Sequence, residues 1–123
     1  MNSFEHEAKL ATDLIYEREP SLMERFGEKG KRKCYEDNIH HFKQLQSAYA
    51  LQQAAFFTDY ALWLNGILSK HGMNEQHLID NFQIIHQVIN ETDTLDADTV
   101  KTYEVYLNEA IGALQSQAVK GAD

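Results

Sequence analysis

Punctuation is scarce in this chain. Its 123 residues include one proline, one cysteine, one tryptophan and six glycines, so few positions interrupt a regular backbone and no intramolecular disulfide can staple it. The lone Cys34 fits a reducing compartment. No window approaches the roughly 18 consecutive apolar residues of a bilayer-spanning helix. The opening Met1-Asn2-Ser3-Phe4-Glu5-His6-Glu7 carries neither the basic nor the apolar region of a secretory signal. A soluble, unprocessed, cytoplasmic protein is the expectation. Alternating β-branched runs long enough for a strand are missing, and so are internal repeats.

Basic residues are few where the acids concentrate. The net charge is −8; residues 73–123 hold nine acids against Lys101 and Lys120, whereas residues 1–72 hold ten acids against nine bases. An acidic C-terminal half argues against general nucleic-acid binding. The one basic run, Lys29-Gly30-Lys31-Arg32-Lys33 with Arg25 before it, reads as a solvated turn and first helical turn.

Helical periodicity is what the chain has in abundance. Ser3 is placed to cap a helix over about residues 4–18 with Phe4, Ala8, Ala11 and Ile15 on one stripe, and Pro20 suits the first position of a short turn through Phe26. Gly27 to Gly30 reads as a loop. A long helix follows from Lys31 to about Leu51, with Tyr35, Ile39, Phe42, Leu45 and Tyr49 at spacings of three and four. A turn or kink at Gln52-Gln53, with a helix continuous through that point as the alternative, leads into an aromatic helix ending at Gly72, a residue suited to a left-handed C-terminus. Asn74 can cap the next helix, whose stripe is Leu78, Phe82, Ile85 and Ile89, and Asp96 or Asp98 the last, with Val100, Tyr103, Leu107, Ile111, Leu114 and Ala118 as its seam. The expected fold is all-α: one domain over residues 1–123, an antiparallel bundle of four main helices with a short N-terminal helical extension, or globin-like crossed helices built from the same elements.

The aromatic helix concentrates the unusual residues. At about 100° per residue, Phe56, Trp63, Ile67, Tyr60, His71, Leu64, Phe57, Leu68 and Ala61 fall within less than half a circumference. Upstream, Asp37 and His41 stand one turn apart on the long helix, where a carboxylate and an imidazole at i and i+4 can share a hydrogen bond that favours the imidazolium. Asn38 lies in the middle of the same apolar arc and needs partners; Tyr60 or a buried water are candidates. Asp37, His41, Tyr60, Trp63 and His71 are therefore either a hydrogen-bonded core or the lining of a ligand site, with the core preferred for His41.

Motifs for chemistry are sparse. His41, His71 and His86 all point inward by phase, and three imidazoles from three helices suit a transition metal, or one of them a haem axial ligand. A structural role for each is the simpler reading; His71 suits the end of its helix through the dipole and the free carbonyls. A carboxylate-bridged di-iron site needs paired Glu-x-x-His motifs, and Asp37-x-x-His40 is the single near match. Cys-x-x-Cys, a phosphate-cradling glycine loop, Gly-x-Ser-x-Gly and His-Glu-x-x-His are all absent, and Cys34 has basic neighbours but no partner base. No enzyme activity and no metal site are expected. Leu62, Ile84, Val88, Val105 and Tyr106 fall outside the seams, and a helix apolar on two sides needs a second neighbour, either a fifth packing element or a homodimer partner.

One resemblance runs through these residues. Glu24-Arg25-Phe26-Gly27-x-x-Gly30-Lys31-x-Lys33-Cys34-x-Glu36-Asp37-x-x-x-His41-Phe42-x-x-Leu45, then Phe57-x-Asp59-Tyr60-x-x-Trp63-Leu64, then Tyr106-Leu107-x-x-Ala110-Ile111, resembles the helical region that accompanies cobalamin-binding domains in bacterial sensory proteins. It spans about Glu17 to Leu114. The resemblance implies a regulatory module, and in cobalamin photoreceptors such a bundle caps the cofactor with aromatic side chains, which would put Trp63, Tyr60 and His41 nearest a ligand. The lower-ligand motif Asp-x-His-x-x-Gly is absent, as is an α/β cofactor domain. The expectation is thus a small sensory or regulatory module acting through protein–protein contact, with a homodimer as the favoured association. The alternative is a sensor that binds cobalamin, haem or another flat ligand through its inward aromatic and histidine residues.

Overall fold

The computed structural model describes residues 4–121 and is helical throughout, without a strand among the described residues. Five helices follow in order: α1 (Glu5–Arg18), α2 (Ser21–Leu51), α3 (Ala54–Ser69), α4 (Glu75–Glu91) and α5 (Ala97–Gly121). They pack as an all-α bundle in which α3 lies along α5, α5 along α4, and α1 bridges α2 and α4. None is long and apolar enough to cross a membrane.

Local signals explain the boundaries. Pro20 stands just before α2 with φ −59°, where its missing N–H is no loss. The anticipated loop from Gly27 to Gly30 is a single-residue break instead: α2 runs on through it and only Gly27 leaves helical geometry, at φ 65° and ψ −163°. Gln52, at φ 55°, and the extended Gln53 make the turn into α3. Gly72 takes the left-handed conformation (φ 82°) expected of it, although α3 proper stops at Ser69. At the start of α4, the Asn74 side chain accepts from the Gln76 N–H (3.0 Å) and His77 Nδ1 accepts from the Asn74 N–H (3.1 Å), a reciprocal cap. Asp96 caps α5 by accepting from the Thr99 N–H at 2.8 Å. Ser3, expected to cap α1, lies outside the described residues.

The N-terminal helix is a full member of the fold. Phe4, Ala8 and Ala11 are sealed in the core, and the Phe4 ring stacks on Phe42 with centroids 5.2 Å apart. Glu7, also buried, accepts from the Thr94 hydroxyl at 3.0 Å, and Arg18 donates to Gln87. Ile84 and Val88, the second apolar stripe of α4, are buried within the chain, where α1 packs on α4. The fifth packing element, not a second copy, covers them. On α5, Tyr103, Leu107 and Leu114 of the expected seam are buried while Val100 and Ile111 are half-buried; Ala110 and Tyr106, outside it by phase, are buried too, and Tyr106 reaches the Ala48 carbonyl at 3.5 Å.

Candidate functional site

The kink in α2 shapes a groove between the helices. Because α2 changes direction at Gly27, its first turns lean over the rest of the helix, and Leu22 and Phe26 overhang a groove of about 580 Å³. Ile15 and Tyr16 of α1 form one wall, Leu64 and Leu68 of α3 with Met73 another, and Leu78, Asn81 and Ile84 of α4 a third. Gly30 belongs to the same arrangement: a Cβ there would sit 2.3 Å from Phe26 Cβ, so a larger residue would push the overhang away. Charged groups stand among the lining residues, with Lys33 and Arg18 against Asp37, Glu19 and Asp80.

His41 forms part of this lining although it is only 2% exposed. Its Nδ1 is 2.8 Å from the Tyr60 hydroxyl, and its ring stands edge-on to Phe82 with centroids 5.3 Å apart. Among the described residues Nε2 has no hydrogen-bond partner. Burial, with a smaller contribution from His40, lowers the imidazole from its ordinary 6.5 to about 3, so the ring is neutral at physiological pH. Burial likewise raises the Tyr60 phenol above its ordinary range, and the hydroxyl keeps its proton.

Asp37 does not pair with His41. Its carboxylate bonds Lys33 Nζ at 2.9 Å on the half-exposed side of α2, and that hydrogen bond raises the lysine further above its usual value. The physical reason is desolvation: a carboxylate drawn in to His41 would lose water, whereas at the edge it keeps both water and a cation. The imidazolium anticipated from Asp37 is accordingly replaced by a neutral ring on Tyr60. Asn38, fully buried as phase requires, finds Asn81 on α4. Asn81 Nδ2 donates to Asn38 Oδ1 at 2.7 Å and Asn38 Nδ2 donates back at 3.4 Å, while also reaching the Cys34 carbonyl at 3.0 Å. Burial pushes the Cys34 thiol up to about 11, which removes it as a nucleophile.

Two expected members of the site lie elsewhere. Phe57, Ala61 and Asn65 form the buried side of α3, roughly 80° around the helix from the centre of the aromatic arc. Trp63 is therefore 63% exposed, with Phe56 and Ile67 exposed beside it, and only Tyr60 of the central aromatics turns toward His41. Phe57 and Ala61 carry that buried side against α5 and α2. His71 sits in the turn beyond α3, exposed, because the helix ends before the phase carries it inward. His86 is half-buried and meets Asn90. The three histidines do not converge, and no cluster of three or more metal-ligating side chains forms among the described residues.

The basic run behaves as a solvated face. It borders a wide basin between α1 and α2 lined by both signs of charge, where Lys9 and Lys31 pair with Asp13 at 2.9 and 3.5 Å. Met73, His77 and Asn81 escaped the sequence reading as groove residues. Only the inward phase of Asn38, a buried amide in want of a partner, hinted at Asn81. Comparison with protein-family models, with curated proteins and with solved structures gives no match.

Proposed function

We propose that the chain is a helical regulatory module that acts by docking on another protein through the outward face of α3, without catalysing a reaction. The observation that carries this reading is the stripe Phe56, Trp63 and Ile67, three large apolar side chains left exposed on one side of a single helix. Such a stripe has the chemistry of an interaction surface, and tryptophan is a recurrent anchor of protein interfaces. The resemblance to helical regions that accompany cobalamin-binding domains supports the same regulatory setting. Nothing comparable supports catalysis: Cys34 is held as a thiol and His41 has no carboxylate behind it.

A second copy of the chain is the simplest partner. Light scattering across a concentration series should show the mass rising toward that of a dimer, and Trp63→Ala should hold it at the monomer while changing the unfolding free energy by no more than about 0.5 kcal/mol. A wild-type mass that stays monomeric at the highest attainable concentration would count against self-association. Cobalamin and haem titrations followed by absorbance test the ligand-binding alternative; a shifted spectrum abolished by His41→Phe and untouched by Trp63→Ala would favour it over docking.

A further inference from the structure

The groove beneath the α2 kink is separate from the α3 stripe and has its own chemistry. It is walled by Leu22, Leu64, Leu68 and Leu78, and its volume of about 580 Å³ falls in the range of small-molecule sites. One buried polar group faces this apolar space without a partner for its second ring nitrogen: His41, whose Nδ1 is taken by Tyr60. The Tyr60 hydroxyl can donate to Nδ1 or accept from it, leaving Nε2 as an N–H or as a lone pair respectively. A hydroxyl group matches both cases, because it donates and accepts.

Charge narrows the ligand further. A carboxylate head would need an imidazolium or a free cation, yet burial keeps the ring neutral. Lys33 is already paired with Asp37, and the lining acids Asp37, Glu19 and Asp80 outnumber the two lining cations, Lys33 and Arg18. We propose that the groove binds an uncharged amphiphile, an aliphatic alcohol whose hydroxyl meets His41 and whose chain lies along the leucines.

The test uses 1-decanol and decanoate as probes at neutral pH, with binding followed by amide and imidazole NMR shifts of the full chain. Saturable binding of 1-decanol is expected, with shifts at His41, Leu64 and Leu78, and decanoate should bind at least about ten-fold more weakly, since its charge must be desolvated beside the lining acids. His41→Phe should weaken decanol binding by about three- to ten-fold, the worth of one neutral hydrogen bond. Leu68→Gln, at a half-exposed position, should weaken it in a chain whose core is intact and so covers the case in which the His41 variant fails to fold. Absence of saturable decanol binding, equal binding of decanoate, or indifference to Leu68→Gln would each overturn the assignment.

Discussion

Acidification should weaken this fold through His41. Unfolded, the imidazole has its ordinary value of 6.5; folded, burial lowers it to about 3. Between those values the unfolded chain holds a proton that the native state refuses, so stability is greatest above about pH 6.5 and falls as pH drops through that window. The slope from one such group approaches about 1.4 kcal/mol per pH unit, and integration from about pH 8 to pH 5 gives a loss of about 2 kcal/mol. That is a large share of the stability of a domain this size. Urea unfolding across this pH range for the wild type and His41→Gln isolates the effect, because every other titrating group is common to both. The difference curve should be flat above about pH 7 and tilt against the wild type below it. Parallel curves through that range would show that His41 takes up its proton in the native state, and the neutral ring on Tyr60 would be wrong.

Three further substitutions probe the groove's supports. Breaking the reciprocal amide pair by Asn38→Leu or Asn81→Leu should each cost about 1–3 kcal/mol in urea unfolding, because the remaining amide loses its partner across the pair, while the double variant should lose clearly less than the sum; additive losses would show that the two amides do not depend on each other. Gly27→Ala adds a Cβ that meets nothing within 4 Å but forces a non-glycine residue to φ 65°, so it should destabilise by about 1–3 kcal/mol through the backbone alone, and an unchanged unfolding midpoint would refute the kink.

Much of the architecture was legible because caps and breakers act locally. Asn74, Asp96, Pro20 and the Gln52-Gln53 turn all sit where short-range hydrogen bonding and steric rules put them. The phase of α2 was equally readable, since its apolar residues fall on one side and Asn38, His41, Phe42, Leu45 and Ala48 are buried together. On α3 the same reasoning misplaced the buried face. That helix is apolar on most of its circumference, so periodicity alone does not say which side turns inward; the neighbours on α5 and α2 decided it. Asp37 and His41 were legible as neighbours on one helix, but not as members of different pairs. Which partner each took depended on Lys33 four residues before and on Tyr60 from another helix. The groove was illegible for a related reason: it needs α1, α3 and α4 at once, and its opening rests on one glycine that reads equally well as a loop.

The Glu7–Thr94 bond links residues 87 positions apart, and it gives the chain a direction in time. During synthesis α1 emerges before the other four helices, yet the groups that satisfy its buried carboxylate and its apolar stripe lie on α2, α4 and the segment after α4. Until that segment has left the ribosome, Phe4, Ala8 and Ala11 have only part of their docking surface. Of these five helices the first to be made is thus among the last to be secured, and a chain stopped short of α4 would display the very surface that the finished protein hides.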